Sequence, residues 1–387
     1  MKKVQMKFMM LIVGLLASSM SSAEYGLNLR KGVTEYSETA YGLHTFTLWV
    51  CIVIGILVFG TMIVSIFSHR KSKGAKAAQF THSTAAEVIW TIIPIVILVV
   101  IAIPATKALI KMENPTTENG EPMKMDMTIK VTGYQWKWKY DYLDEGFGFL
   151  STLAKNSNVA RQLVPKEERI DPYTVENYLL DVDKPLVLPA NTNIRFLLTA
   201  DDVIHSWWVP DFGWKRDAIP GYVNEAWTNI KKPGIYRGQC AELCGKDHGF
   251  MPIVVEVLSK ADYAVWLAEQ KGVQEEAAEM VETEWNKEQL MAKGEEVYNA
   301  QCATCHLPTG AGMPPAFPAL AGSAIVNGPA ADQINLVLNG KPDTAMQAFG
   351  NLLSETDIAA AITYTRNSFD NTAGDIVQPA TVKSMKQ

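Results

Sequence analysis

Two uninterrupted apolar runs dominate the first third of the chain: Phe46 to Phe67 carries no charge over 22 residues and Val88 to Thr106 none over 19. At 1.5 Å per residue, either run crosses a hydrocarbon core of about 30 Å as a helix, so both are predicted to span a membrane. A shorter apolar stretch, Phe8 to Leu16, follows Lys2, Lys3 and Lys7 and leads to Ser21-Ser22-Ala23. That order fits a cleavable secretory signal over 1–23, with the mature chain starting at Glu24. From Asp126 the pattern changes to short alternating runs, among them 128–132, 185–189, 194–198, 234–238 and 252–257, separated by proline and glycine turns. Alternation of this length predicts a small β-sandwich or barrel over 126–258. Within it, residues 145–180 are polar and irregular and read as an insertion without an assigned function. Residues 259–284 are rich in Ala, Glu, Lys and Gln and predict a helical connector, acidic and therefore extended and solvated. Helical stretches from Glu288 to Ala300 and from Ser354 to Phe369 then frame an all-α domain over 285–370, with a tail over 371–387. The expected fold is a multi-domain membrane protein: a two-helix transmembrane hairpin over 42–111, an all-β sandwich and an all-α domain.

Charge orients this plan. Between the apolar runs, His69-Arg70-Lys71-Ser72-Lys73-Gly74-Ala75-Lys76 holds four Lys/Arg and no acid. The positive-inside rule therefore places loop 69–84 in the cytoplasm and both ends of the mature chain outside the bacterial plasma membrane, in the periplasm. Pro94 and Pro104 sit inside the second run, where neighbouring helices satisfy the freed carbonyls, which points to membrane partners. Glu87 lies at the cytoplasmic mouth of that run. It is either a solvated end charge or part of a proton relay, since ionisable groups near membrane interiors are often functional. A net charge of -6 without any basic stripe argues against nucleic acid.

Five cysteines are few for a secreted disulfide scaffold, and four fall in two close pairs, Cys240/Cys244 and Cys302/Cys305. Cys51, inside the first apolar run, reads as a packing residue. The run from Gln239 to Met251 supplies Cys240, Cys244, His248 and Met251, and His205 stands upstream in His205-Ser206-Trp207. Thiolates with imidazoles suit either zinc or copper, and two near cysteines can also be a disulfide. The thioether of Met251 favours copper. Tyr134 to Tyr140 alternates aromatic and polar residues as one face of a strand does, which is either a packed face or an electron-accepting surface over a metal. Farther on, Cys302-Ala303-Thr304-Cys305-His306 has the spacing of covalent haem attachment, with a secreted thioredoxin-like redox pair as the alternative. Met346 and Met313 are the candidate sixth ligands.

These residues resemble a known family. His205-Ser206-Trp207 followed by Cys240-x-Glu242-x-Cys244-x-x-x-His248-x-x-Met251 is similar to the binuclear copper A site of cytochrome c oxidase subunit II. Followed by Cys302/Cys305/His306, it resembles a subunit II with a fused cytochrome c domain, of the caa3 type. The resemblance implies a cupredoxin copper A domain, two coppers on His205, Cys240, Cys244, His248 and Met251, and a haem c on Cys302, Cys305, His306 and Met346. It further implies a carbonyl of Glu242 on one copper and its carboxylate on a magnesium shared with subunit I, electron acceptance at Trp136 and a proton-channel entrance at Glu87. The implied function is relay of electrons from a donor, such as cytochrome c or a quinol–cytochrome c reductase, to subunit I for oxygen reduction coupled to proton translocation. Subunit III is a further implied partner. Three positions depart from the family pattern: Tyr134 where a histidine is usual, Gln347 where the methionine-loop proline is usual, and Tyr222 where an arginine often occurs. Other classes left open are a tethered electron carrier without partner subunits, which leaves Glu87 and Glu242 idle, and a quinol oxidase subunit II, which lacks copper ligands.

Overall fold

A computed structural model describes residues 28–76, 79, 81–117, 119–161, 169–342 and 344–386. The expected signal over 1–23 and the expected start at Glu24 lie outside these residues. Two long helices, Glu35–Ser68 and Thr84–Glu113, contain the two apolar runs and extend beyond them at both ends. Polar turns such as Glu35 to Thr45 continue the helix because the bonded backbone propagates through residues that would not enter lipid. Both helices are long and apolar enough to cross a membrane, and their most apolar windows bury nothing inside the protein. Such side chains need an apolar surrounding, which lipid supplies. Pro94 and Pro104 lie within the second helix without ending it.

Among the described residues, 28–31 with 40–95 form one compact unit, and 32–39 with 96–386 form the other. In the second unit, ten strands build two five-stranded sheets: β1 Met127–Tyr134, β2 Lys137–Tyr142, β3 Phe147–Ser151, β4 Leu186–Pro189, β5 Asn193–Ala200, β6 His205–Val209, β7 Trp214–Ala218, β8 Asn224–Asn229, β9 Gly234–Cys240 and β10 Pro252–Leu258. Their orders are β3-β2-β1-β5-β8 and β4-β10-β9-β6-β7. Strand β5 shows why the sheets face each other: Ile194, Phe196, Leu198 and Ala200 are buried while their neighbours are not. Trp138, Tyr140, Phe196, Trp207 and Phe212 fill the space between the sheets.

Three sequence expectations change here. The aromatic run Tyr134 to Tyr140 is not one strand face: β1 ends at Tyr134, β2 starts at Lys137, and Gln135-Trp136 form the turn of an antiparallel hairpin. Pairing of Tyr134 with Lys137 across the turn puts Trp136 at its tip, whereas Trp138 and Tyr140 are core. The stretch 145–180 is not irregular throughout. Its Phe147 and Leu150 are buried, strand β3 pairs with β2, and a short helix follows at Lys155–Ala160. Glycines at 146 and 148 masked that strand; a Cβ at 148 would lie 2.7 Å from the Tyr140 carbonyl oxygen. Finally, the acidic connector is one helix, Lys260–Glu282, capped by Ser259, with Tyr263 buried and Trp266 and Leu267 packed on the sandwich core. Its apolar positions, and not its net charge, decide that it docks.

The helical part departs from expectation at its end: the stretch 371–387, read as a tail, carries helix Pro379–Met385, and Val377 and Val382 are buried in the same core as Ile358 and Ile362. Helix Lys287–Val297 opens with a capping box of Asn286 and Gln289, and helix Glu355–Asn367 is capped by Ser354. The two cross at Gly294, where a Cβ would fall 2.1 Å from the Ala360 carbonyl oxygen and 2.6 Å from Tyr364 Cβ. Only glycine admits that approach.

Candidate metal and haem centres

Strand β9 ends at Cys240 and strand β10 begins at Pro252, so the intervening loop is pinned at both ends by paired strands. His205 opens the neighbouring strand β6, whose Trp207 pairs with Cys240. That register brings the imidazole to the thiols. Cys240 Sγ lies 3.9 Å from His205 Nδ1 and 3.8 Å from Cys244 Sγ. Cys244 Sγ lies 3.6 Å from His248 Nδ1 and 3.5 Å from Met251 Sδ. The Glu242 carbonyl oxygen is 3.4 Å from Cys240 Sγ, while the Glu242 side chain is exposed. All six residues singled out for metal binding therefore meet at one place.

The disulfide alternative does not fit, because a sulfur separation of 3.8 Å is far beyond a bond of about 2.05 Å and both cysteines are free. Two metal–thiolate bonds of about 2.3 Å each span the same gap, so the donor set fits a shared metal. Electrostatics point the same way. A hydrogen bond from Cys244 holds the Cys240 thiol down to about 3, with His205 adding to the effect, and the same thiolate and burial push Cys244 well up. Metal binding must displace whatever protons the pair still holds. Burial opposes charge on His205, but Asp202 and Cys240 outweigh it and raise the imidazole's proton affinity.

Besides Trp136, several residues that sequence reasoning gave no role hold this geometry. Asp202 Oδ1 lies 2.9 Å from His205 Nε2, and its other oxygen accepts from the Gln135 amide at 2.7 Å, which ties the hairpin turn to the ligand. An acid three residues before a ligating histidine was the available signal. Gly133 lets the imidazole pack against strand β1, where a Cβ would sit 2.8 Å from His205 Cδ2. Trp136 Nε1 and Gln135 Nε2 both donate to the Cys244 carbonyl, at 3.1 and 2.8 Å. Arg161, from the stretch read as an insertion, places Nη2 2.7 Å from Asp247 Oδ2 and its guanidinium 4.0 Å over Phe250. Both side chains of that pair are 6% exposed.

In the helical domain, a short π-helical turn Tyr298–Cys302 leads into Ala303–His306. Burial pushes the Cys302 thiol up to about 12 and raises Cys305 as well. Burial also disfavours the charged form of His306, and its Nδ1 lies 2.9 Å from the Pro318 carbonyl oxygen, which leaves Nε2 for an axial bond. Met346 lies in the loop before helix Glu355–Asn367, and its carbonyl accepts from the Lys341 amide at 2.8 Å. Beside it, the buried Gln347 Oε1 has no partner, an orphaned acceptor where the family usually has proline. Met313 is locked into paired backbone bonds with Phe317 at 2.7 and 3.0 Å. Partly buried thiols, a neutral imidazole and an unpaired polar atom fit a covalently attached haem better than a thioredoxin-like pair. Glu87 lies far along the chain from both centres, exposed in the first turn of helix Thr84–Glu113, its carbonyl accepting from the Thr91 hydroxyl at 2.8 Å.

Comparison with known proteins follows this division. Residues 22–108 match the family "Cytochrome C oxidase subunit II, transmembrane domain", residues 127–258 its periplasmic domain, and residues 289–364 "Cytochrome C oxidase, cbb3-type, subunit III". Copper in the sandwich and haem in the helical domain are what these matches and the donor sets together support. The probable cytochrome c oxidase subunit 2 of Rickettsia bellii is 42% identical over 237 residues, 61% of this chain and 81% of that one. Cytochrome c oxidase subunit 2 of Cereibacter sphaeroides is 35% identical over 276 residues, 67% of this chain and 89% of that one. The periplasmic domain of subunit II of cytochrome oxidase of Bradyrhizobium japonicum is similar at 43% identity, covering 39% of this chain and 96% of that one, with a TM-score of 0.33. With such relatives matched over most of their own length, the chain belongs to the cytochrome c oxidase subunit II family and carries in addition a C-terminal cytochrome c-type domain.

Proposed function

We propose that this subunit II is of the caa3 type and relays electrons from an external donor through a haem c to a binuclear copper A centre. When bound, the haem and the copper pair supply the one-electron relay to subunit I, where oxygen is reduced. The observation that carries this reading is the convergence of His205, Cys240, Cys244, His248 and Met251 on one buried point, next to a tryptophan bonded to the ligand loop. Cys240 and Cys244 would bridge, His205 and His248 would bind through Nδ1, Met251 through sulfur, and Glu242 through its backbone carbonyl. Asp202 holds His205 in the tautomer that leaves Nδ1 free to bind. Cys302 and Cys305 would carry the haem, with His306 and Met346 as axial ligands. Trp136 would accept the electron ahead of the copper loop.

Four finer assignments belong to the same reading. The Glu242 carboxylate is exposed, which leaves it free for a magnesium shared with subunit I. The basic loop 69–84 favours a periplasmic position for both redox domains in the bacterial plasma membrane. Subunit III is a further partner, and Glu87 is the proton-channel entrance. The working domain limits are 42–111, 126–258, 259–284 and 285–370.

Metal and haem analysis of the purified full chain tests the reading, with two coppers and one covalent haem per chain expected. Cys240→Ser should abolish the copper–thiolate absorption band and leave the haem attached. Zinc in place of copper, or loss of both signals together, would refute it. For Glu87, turnover and the rate of copper reduction are compared in one preparation of the assembled enzyme. Slower turnover of Glu87→Gln with normal copper reduction supports the channel role, and equal turnover removes it.

A further inference from the structure

Lys137 is 4% exposed, yet among the described residues no carboxylate pairs with its ammonium. An ion of this kind is seldom buried without a charged partner, because desolvation costs several kcal/mol. Its partners among the described residues both belong to the cytochrome part: Nζ donates to Gln301 Oε1 at 3.2 Å and lies 4.8 Å from the centre of the Phe349 ring. Gln301 immediately precedes Cys302, and Phe349 follows Met346 by three residues. Lys137 itself immediately follows Trp136. On the copper loop, Lys246 makes the matching contact. Its ammonium donates to the carbonyl of Thr304, between the two haem-attachment cysteines, at 2.9 Å. It also lies 5.8 Å from the Trp136 ring and 5.4 Å from the Phe317 ring.

We propose that Lys137 and Lys246 are positioning residues that latch the Cys302–Cys305 loop onto the Trp136 turn and the copper loop, making this junction the intramolecular electron-transfer interface. The inference rests on the haem and copper reading above. It gives electron flow a continuous route of covalent bonds and one hydrogen bond: from Cys305 to the Thr304 carbonyl, to Lys246 Nζ, and along the loop to Cys244. Electronic coupling through such bonds decays less steeply than across a gap. One electron leaves a reduced haem and one arrives at an oxidised copper pair, while both lysines keep their charge and protons. The contacts are ammonium to neutral oxygen and ammonium to aromatic face, so they differ from the opposed charges that steer separate redox proteins together. Ion-pair docking weakens steeply with salt, whereas the desolvated Lys137 contact does not.

The test uses the full-length chain in detergent and three measurements. Copper and haem absorption are recorded first for wild type, Lys137→Met, Lys246→Met, the double variant and Lys137→Arg. Absence of either group from the wild type would overturn the functional reading and not the latch specifically. Electron transfer from haem to copper is then followed after a light-triggered single-electron reduction. At least tenfold slowing in Lys137→Met, more in the double variant, partial recovery in Lys137→Arg and little change between low and high salt are expected, with both spectra unaltered. Amine acylation mapped by mass spectrometry, on chain carrying neither metal nor haem, should find Lys137 protected. An unchanged rate in the double variant with both groups bound, or acylation of Lys137 as fast as of the exposed lysines, would overturn the latch.

Discussion

Replacing Arg161 by leucine isolates what the stretch between β3 and β4 does for the copper loop. Arg161 Nη2 stands 2.7 Å from Asp247 Oδ2, one residue from His248 in sequence, and both side chains are 6% exposed. At that distance and an effective dielectric constant of 20, the Coulombic attraction is about 6 kcal/mol, most of it offset by desolvation of the two ions. Deleting one ion of such a pair leaves the other buried and unpaired, at a typical cost of about 3–5 kcal/mol. The contact is not aligned as a hydrogen bond, so the lower end applies. A cost of about 3 kcal/mol is a factor of roughly 150 in an opening equilibrium. Hydrogen exchange of the loop amides, including those of His248 and Phe250 that bond the Gly245 and Asp247 carbonyls at 3.2 and 2.8 Å, should then accelerate by about that factor. Copper affinity in a chelator competition should fall in step, since only the closed loop presents His248 and Met251 together. Adding Asp247→Asn to Arg161→Leu removes both charges and should restore most of the loss. Unchanged exchange in the single variant, or a double variant as impaired as the single, would refute the reasoning.

Other expected outcomes follow from single contacts. Asp202→Asn weakens the partner of His205 Nε2 and should lower copper affinity about 10- to 100-fold in the same competition, with haem attachment unchanged. Burial lowers Lys137 from its ordinary 10.5 to about 8, so the unfolded chain holds more protons between those values. Stability should therefore rise with pH across that window, by about 3 kcal/mol in all, and Lys137→Met should flatten the profile in denaturant melts at pH 7.5 and 10.5. Gly294→Ala forces a Cβ to within 2.1 Å of the Ala360 carbonyl oxygen. It should cost about 1–3 kcal/mol in the helical domain, read as a lower midpoint for haem-band loss on heating, with the copper band unaffected.

Sequence alone determined the parts of this protein whose signal is local. Charge-free runs at 46–67 and 88–106 are spans because lipid demands length and apolarity, which any window reveals. Cys240-x-Glu242-x-Cys244 with His248 and Met251 declares soft-metal chemistry through residue types and spacing, and Cys302-x-x-Cys305-His306 declares haem attachment in the same way. What depends on strand register or on which elements meet was decided by the tertiary structure. Trp136 became a turn residue bonded to Cys244 because Tyr134 pairs with Lys137, a choice that aromatic alternation cannot announce. Strand β3 was hidden by its glycines and emerged through pairing with β2. The connector's docking rests on Tyr263 and Trp266, two aromatics in an acidic background whose partners lie more than a hundred residues away. Arg161, Lys137 and Lys246 read as ordinary charges along the chain, and only the assembled fold gives the first two buried surroundings and each its partner: Asp247 on the copper loop for Arg161, Gln301 and Thr304 beside the haem-attachment cysteines for Lys137 and Lys246.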